Sequence, residues 1–182
     1  MKVTRTDIEG LLIIEPSVFS DDRGYFFESY SEAKYKKAGI TADFIQDNQS
    51  FSRKGTVRGL HGQAEPFAQG KLVRVITGRV LDIAVDVRKG SPTYGKYCSI
   101  ELSADNKLQF WVPGGFLHGF SVLEDDTIFA YKVNNYYHKD SEFGVLWNDP
   151  TLNIDWGVAP DEALISPKDM FLSDFKSFNS PY

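Results

Sequence analysis

Residues 72–87 place the strongest constraint on the fold of this chain, because they predict two consecutive β-strands. Over residues 79–87 the side chains alternate between two faces, one with Leu81, Ile83, Val85 and Val87 and the other with Val80, Asp82, Ala84 and Asp86. A period of two residues is that of a strand. Thr77 and Gly78 separate this run from the β-rich residues 72–76, which predicts a hairpin turn between the two strands.

Further short apolar runs predict strands at residues 97–102, 108–112, 119–123 and 127–133, with Gly, Pro, Asn and Asp clusters between them. Helix signals occur at residues 31–38, which end near Gly39, and from about Ser166 onward. Regular short strands with few helices predict an all-β sandwich or barrel. With 182 residues and no linker or repeat, the chain is expected to form one domain over residues 1–182.

The charge and the cysteine content exclude several kinds of partner. Twenty Lys plus Arg against 25 Asp plus Glu give a formal net charge of -5, so no basic surface for a nucleic acid is expected. A phosphate-bearing ligand would depend on a few local cations. Cys98 is the single cysteine, so no intramolecular disulfide can form, and no run approaches the roughly 18 apolar residues of a membrane span. We expect a cytoplasmic protein without a membrane partner.

Polar side chains that can carry chemistry are densest at residues 58–71. Arg58, His61 and Lys71 lie there, in the sequence RGLHGQ followed by QGK at residues 69–71. A lone histidine is more often structural than catalytic, but this imidazole has two cations nearby in the chain. On a regular strand Arg58 and His61 would face opposite sides, unless a bulge at Gly59 brings them to the same side.

A second cluster at residues 113–120 resembles the PxGxxH segment of cupin barrels. Metal-binding cupins supply an earlier HxH pair, and Gln63 stands here where the second His would be. Because a neutral amide is a poor ligand for the metals that imidazole favours, we expect no bound metal and no cofactor. The alternative is a weak site made by His61, Glu65 and His118, which would indicate a metal-dependent cupin oxygenase.

Tyrosines form a third group. Tyr131 shares a strand face with Phe129 and Val133, and an aromatic residue in that position usually belongs to a core. Tyr136 and Tyr137 follow in a loop, where flat rings near cations either pack on the surface or stack on a nucleobase.

In this order and spacing, nine segments resemble the dTDP-4-dehydrorhamnose 3,5-epimerase family over about residues 8–169. They are FSDDRGYFFESY at 19–30, QDN at 46–48, VRGLH at 57–61, AQGKLV at 68–73, FLHGF at 116–120, YK at 131–132, NYY at 135–137, LWNDP at 146–150 and SPKD at 166–169. The resemblance implies a cupin-type jelly-roll β-barrel with short peripheral helices. It also implies a metal-free isomerase, a homodimer and a dTDP-sugar substrate.

Carried over position by position, the resemblance implies that His61 is the general base and that Asp169 orients it. Tyr131 resembles the general acid on the opposite face of the sugar, and Lys71 the cation beside the C4 oxygen. The positions that resemble substrate contacts are Arg23, Glu28, Gln46, Asn48, Arg58, His118, Tyr137, Glu142 and Lys168.

Elementary chemistry supports these roles. A ketone at C4 acidifies the hydrogens on C3 and C5, because the carbanion that remains delocalises onto oxygen, and an ammonium near that oxygen favours the enolate-like transition state. A neutral imidazole can take the proton, and a carboxylate on its other nitrogen fixes its tautomer. Inversion then needs a donor on the opposite face, which a phenol can supply.

Two residues depart from the pattern of many family members: Gly62 follows the His of RGLH, and Gln49 stands where a His is common. Loss of bulk at residue 62 could reshape the pocket wall. Two further alternatives stay open, a mono-epimerase that inverts C3 or C5 alone and a catalytically silent sugar-binding cupin. Phe26, Phe27 and Tyr30 are either strand residues exchanged across a dimer or ordinary core.

Overall fold

The structure is a computed structural model that describes residues 1–182, and it consists mainly of short strands. In chain order they are β1 (Lys2–Arg5), β2 (Leu12–Glu15), β3 (Val18–Asp21), β4 (Gly24–Phe27), β5 (Gln46–Ser52), β6 (Thr56–Gln63), β7 (Lys71–Thr77), β8 (Arg79–Asp86), β9 (Tyr97–Ser103), β10 (Gln109–Val112), β11 (Phe116–Val122), β12 (Thr127–Val133), β13 (Glu142–Gly144) and β14 (Leu164–Ile165). One α-helix, α1, spans Glu32–Lys37, and 3-10 helices span Lys139–Ser141 and Asp169–Phe171.

The strands form two large sheets and one separate hairpin. The first sheet has the order β1-β2-β10-β7-β12-β5, and the second has the order β13-β6-β11-β8-β9 with β14 added to β6. All pairs are antiparallel except that of β14 with β6. Strands β3 and β4 pair only with each other. The predicted all-β, cupin-type jelly roll is confirmed.

Strand β8 shows why the second sheet is buried on both faces. Val80 and Ala84 belong to a core cluster that includes residues of both sheets, whereas Ile83 and Val85 belong to a second cluster. Trp147 and Trp156 from the C-terminal part of the chain pack in that second cluster. The alternation seen in the sequence therefore separates two apolar cores rather than a core from solvent.

The predicted hairpin at Thr77 and Gly78 is wrong, although both flanking strands exist. Strand β7 pairs with β10 and β12 in the first sheet, whereas β8 pairs with β9 and β11 in the second. The chain crosses between the sheets at Gly78, which has a φ of +78°. A Cβ there would lie 2.2 Å from Oγ1 of Thr127, so the turn residue is constrained by its neighbour.

The helix predictions are confirmed at residues 31–38 and only in part after Ser166. Helix α1 has Ser31 as its N-cap residue and Ala38 as its C-cap residue. After Ser166 the chain forms a single 3-10 turn, in which the backbone N–H of Asp169 donates to the Ser166 side chain at 3.2 Å. Neither α1 nor any other helix has the length and apolar character that crossing a membrane requires.

A pair of glycine substitutions tests the corner at Gly78. Both Gly78→Ala and Gly90→Ala place a Cβ at positive φ, +78° and +80°, which costs about 1–2 kcal/mol. At Gly90 nothing lies within 4 Å of that Cβ, whereas at Gly78 it meets Thr127. We expect Gly78→Ala to lower the free energy of unfolding by at least about 1 kcal/mol more than Gly90→Ala, measured by urea denaturation. Equal losses would show that Thr127 does not constrain this corner.

Candidate active site

The position of His61 depends on an irregularity where β6 pairs with β11. His118 lies opposite His61 and Phe120 lies opposite Arg58, so three steps along β6 correspond to two along β11. The extra residue in β6 forms a bulge, the irregularity at Gly59 that the sequence required if Arg58 and His61 were to face the same side. Arg58 and His61 therefore lie on the same side of the sheet.

Two glycines allow this bulge. Gly59 has a φ of +117°, and a Cβ on it would lie 2.6 Å from Cα of Gly119. A Cβ on Gly119 would in turn lie 2.7 Å from the carbonyl oxygen of Arg58. The backbones of β6 and β11 approach each other too closely for any side chain at either position.

Asp169 is the hydrogen-bond partner of the His61 imidazole. Its Oδ1 lies 2.7 Å from Nε2 of His61, and the Asp169 residue is only 4% exposed. The parallel pairing of β14 with β6, Leu164 with Thr56, brings the segment that carries Asp169 to this place. Because a carboxylate only accepts, Nε2 carries the hydrogen and Nδ1 keeps a lone pair for a proton.

The environment keeps Asp169 ionised. Burial acts to raise its pKa, but the hydrogen bond and the charge of His61 lower the pKa overall. The nearest carboxylate to the other imidazole nitrogen is Glu142, whose Oε1 lies 4.0 Å from Nδ1 of His61.

Lys71 and Tyr131 project from the first sheet toward the same space. Tyr131 pairs with Val73 and Val133 pairs with Lys71, so these four residues share one face of β7 and β12. Burial raises the pKa of the Tyr131 phenol, against smaller effects of Asn48 and Arg58. Burial lowers the pKa of the Lys71 ammonium to about 8, although the carboxylates of Asp82 and Glu142 act to raise it.

Two cavities meet at these groups. One of about 180 Å³ and one of about 510 Å³ share His61, Lys71, His118 and Tyr131 as lining residues. The structure thus brings an imidazole, an ammonium and a phenol to one space. Asp169, the fourth residue of the predicted catalytic set, also lines the larger cavity.

Several predicted substrate contacts lie at the rim. Glu142 accepts hydrogen bonds at Oε2 from the Tyr137 hydroxyl, at 2.9 Å, and from the Lys168 ammonium. Arg58 lines the larger cavity and donates to Oγ of Ser52 at 3.3 Å and 3.2 Å. The Arg58 guanidinium and the Lys168 ammonium thus place positive charge beside the cavity, although the chain has a negative net charge.

The predicted contact His118 lies in the interior, whereas Gln46 and Asn48 lie on β5, the strand that pairs with β12. His118 is buried and lines both cavities. Asn48 lies opposite Tyr131, accepts from Nε2 of Gln46 at 2.8 Å, and lines a separate cavity of about 400 Å³ that Tyr131 also borders.

Arg23 and Glu28 lie outside both active-site cavities. Arg23 is at the tip of the hairpin of β3 and β4, with its side chain 90% exposed and bonded to Asp21. Glu28 pairs with Lys34 on the surface. Within one chain these two residues do not join the others, and their role as substrate contacts stays a prediction.

The two departures from the family pattern have different surroundings. A Cβ on Gly62 would lie 2.6 Å from Cζ of Phe143, whose ring stacks on Phe178 at 5.7 Å. Phe143 therefore fills the space that Gly62 leaves. Gln49, in contrast, lines the larger cavity.

Sequence reasoning missed Asp82 as a site residue. Asp82 is fully buried, and its Oδ1 lies 2.9 Å from Nε2 of His118. The available signal was an acidic residue between Val80 and Ala84 on one face of a predicted strand, since a buried charge needs a partner. The structure contains no group of three or more His, Cys, Asp or Glu side chains placed to hold a metal ion.

A two-sheet jelly roll whose interior carries a hydrogen-bonded imidazole, a phenol and a partly buried ammonium is a cupin-type domain equipped for proton transfer. The family whose model matches residues 5–177 is described as dTDP-4-dehydrorhamnose 3,5-epimerase. The chain belongs to this family.

Individual relatives agree over almost the whole length. A dTDP-4-dehydrorhamnose 3,5-epimerase of Shigella flexneri is 52% identical over 171 residues, which are 93% of this chain and 93% of the relative. The crystal structure of the enzyme of that name from Elizabethkingia anophelis NUHP1 has a TM-score of 0.94 and 48% identity, with 99% of each chain covered. A dTDP-6-deoxy-D-glucose-3,5-epimerase from Legionella pneumophila, crystallised with dTDP-4-keto-L-rhamnose, has a TM-score of 0.93 and 46% identity, with 98% and 94% covered.

Replacement of Asp169 tests the oriented pair. Asp169→Asn keeps the size of the side chain but removes the charge that steadies a protonated His61, so we expect kcat to fall about 100-fold to 10,000-fold. Asp174→Asn, at a nearby exposed residue bonded to the backbone N–H of Ser177, is the matched control and should leave kcat unchanged. Steady-state kinetics on both variants make the comparison, and a near-normal kcat in Asp169→Asn would contradict the assigned role.

Proposed function

We propose that the protein epimerises dTDP-4-dehydro-6-deoxy-D-glucose at C3 and C5, which yields dTDP-4-dehydro-L-rhamnose in dTDP-rhamnose biosynthesis. The observation that carries the proposal is the His61–Asp169 pair at 2.7 Å in a space that Tyr131 and Lys71 also line. The names of the Shigella and Elizabethkingia relatives and the ligand of the Legionella structure support the same reaction.

His61 acts as the base. The hydrogens on C3 and C5 are acidic because each carbon is adjacent to the C4 ketone, and Nδ1 of His61 has the lone pair that accepts one of them. The imidazolium that forms is stabilised by Asp169, whose lowered pKa keeps it anionic at neutral pH.

Lys71 stabilises the enolate. Deprotonation moves negative charge to the C4 oxygen, and an ammonium in a partly buried site interacts with that charge more strongly than it would in water. With a pKa of about 8, Lys71 is mostly protonated at neutral pH. Activity that depends on this ammonium must be lost as pH rises through the pKa.

Tyr131 donates its own phenolic proton to the carbanion from the opposite face, while His61 keeps the proton that it removed. Exchange with solvent then deprotonates the imidazolium and restores the phenol. The phenol stays protonated at neutral pH because burial raises its pKa above the usual value. Tyr131 lies on the first sheet and His61 on the second, so a sugar ring between them would meet the base on one face and the acid on the other. That placement is the geometry that inversion requires.

The cations at the rim suit a diphosphate. Arg58 and Lys168 both line the cavity of about 510 Å³, next to the catalytic groups. Guanidinium forms paired hydrogen bonds to phosphate oxygens, and an ammonium adds charge without a fixed direction. Tyr137 lines the adjoining cavity of about 180 Å³ and offers a flat ring on which a nucleobase can stack.

We further propose a homodimer, which the exposed hairpin of β3 and β4 supports. Phe19, Tyr25 and Phe26 on it are 65%, 58% and 66% exposed, an unusual concentration of bare aromatic rings. If a second copy covers them, Arg23 at the hairpin tip could reach the partner's cavity. A dimer would then account for Arg23 as a predicted substrate contact that lies outside the cavities of its own chain.

Removal of these aromatic rings tests the dimer. The double variant Phe19→Ser, Phe26→Ser should sediment as a monomer at concentrations where the unaltered protein is a dimer, because the buried apolar area is lost. Phe171→Ser, at a ring that is 87% exposed elsewhere, is the control for loss of surface apolar area and should not change the sedimentation coefficient. A dimeric double variant would contradict the proposed interface.

Hydrogen exchange in deuterated water tests the reaction itself. With dTDP-4-dehydro-6-deoxy-D-glucose as substrate, NMR should show deuterium at both C3 and C5 for the unaltered protein. His61→Ala should lose exchange at both carbons while it still binds dTDP, because the base is absent. Tyr131→Phe should keep exchange but form inverted product at least about 100-fold more slowly, because the donor on the opposite face is absent.

The pattern of exchange separates the alternatives. Exchange at one carbon alone would indicate a mono-epimerase, and exchange at neither would refute the proposed activity. Binding of dTDP, measured by calorimetry on each variant, is the control that the cavity is intact.

A further inference from the structure

Asp82 differs from other buried carboxylates in this fold because half of its hydrogen-bonding capacity is unused. Its Oδ1 bonds with Nε2 of His118, but its Oδ2 is buried and has no hydrogen-bond partner. A buried polar atom without a partner costs free energy, so its retention needs a reason.

Asp86 on the same strand provides the contrast. It is also fully buried and shares a face of β8 with Asp82, but both of its oxygens are satisfied. Arg88 donates to them at 2.9 Å and 2.8 Å, and the hydroxyls of Ser91 and Thr93 each donate to Oδ2 at 2.6 Å. Asp86 therefore locks a turn, whereas Asp82 has no comparable structural role.

The groups around Asp82 and Lys71 are those of the active site. The carboxylates whose charge favours protonation of Lys71 are those of Asp82 and Glu142. The side chains of His61, His118 and Tyr131 line the same small cavity as Lys71. Asp82 faces the interior between the two sheets, because Val80 and Ala84 on its face of β8 pack with Val73, which shares a face of β7 with Lys71. One oxygen of Asp82 bonds with His118, which lines that cavity.

The charges of Asp82 and Lys71 depend on each other. Burial raises the pKa of Asp82 overall, although His118 and Lys71 act to lower it. Burial lowers the pKa of Lys71. The carboxylates of Asp82 and Glu142 both act to raise this pKa, and the effect of Asp82 is the larger. Without the Asp82 charge, Glu142 would be the only carboxylate that opposes the lowering of the Lys71 pKa by burial.

We propose that Asp82 is a positioning residue of the active site, which holds the His118 ring with one oxygen and supplies the counter-charge that keeps Lys71 protonated. The inference rests on the proposed function, in which the Lys71 ammonium stabilises the enolate. Asp82 itself does not touch the substrate in this scheme. It sets the pH range over which the cation beside the C4 oxygen is available.

Asp82→Asn is the variant that tests this role, since it keeps the shape and removes the charge. For the unaltered protein kcat should fall as pH rises through about 8, the pKa of Lys71. In Asp82→Asn this alkaline limb should move to lower pH by about 1 unit or more, the shift that loss of a nearby opposite charge produces. Asp82→Glu, which keeps the charge, should restore the limb toward its original position.

Asp86→Asn is the matched control. It removes another fully buried carboxylate from the same strand, so it reports the effect of lost stability alone. It should lower Tm but leave the alkaline limb in place. An unmoved limb in Asp82→Asn, with dTDP binding kept, would overturn the proposal.

Direct titration of Lys71 makes the test independent of turnover. Acetylation by acetic anhydride across a pH series, followed by mass spectrometry of the peptide that contains Lys71, gives the pKa of this amine. Asp82→Asn should lower it relative to the unaltered protein and to Asp86→Asn. A lowered value without any exchange at C3 or C5 would refute the proposed function and leave the role of Asp82 supported, whereas normal epimerisation with an unchanged value would refute the role of Asp82 alone.

Discussion

The close contact between Gly59 and Gly119 is the constraint on which the arrangement of the site depends. A Cβ at Gly59 would lie 2.6 Å from the Cα of Gly119, so β6 and β11 can approach as they do only without side chains there. The approach accompanies the bulge that turns Arg58 and His61 to the same side. Strand β6 also pairs with β14, which leads into the segment that carries Asp169, so one strand positions both His61 and its hydrogen-bond partner.

The site concentrates charge inside an acidic protein by pairing each buried group. Asp169 faces His61, Asp82 faces His118, and Glu142 accepts from Lys168 and Tyr137. Lys71 is the exception, because it has carboxylates nearby but no hydrogen bond to one. An ammonium that is desolvated and unpaired is the one best able to respond to new negative charge on a ligand oxygen.

The sequence predicted most of the strands of the central region, because their alternation and the turn residues between them are local signals. It failed at Gly78, since a tight turn between two strands has the same local pattern whether the strands pair with each other or enter different sheets. The difference arises from the contact with Thr127, which lies 49 positions away in the chain. Sheet membership is a property of the tertiary structure, and no local pattern encodes it.

The site was predictable to a similar degree. His61, Lys71, Tyr131 and Asp169 were chosen by resemblance, and the structure brings them to one space. Whether Arg58 could join His61 depended on a bulge that the glycine at position 59 permitted but did not require. Asp82 gave only the weak signal of an acid between two apolar residues of a strand face, because its partner His118 lies 36 positions later.

The two imidazole–carboxylate pairs, His61–Asp169 and His118–Asp82, have the same chemistry but differ in their exposure to solvent. The side chain of His61 is 24% exposed and that of its partner Asp169 is 5% exposed, so the ring borders open space. The side chains of His118 and Asp82 are 7% and 0% exposed, and the second oxygen of Asp82 has no partner. A base must exchange protons with a ligand, which suits the more open pair. A fixed charge acts most strongly where water is excluded, which suits the buried pair. The chemistry of the two pairs is the same, and their different depth in the jelly roll supports the proposed division into proton transfer and electrostatic support.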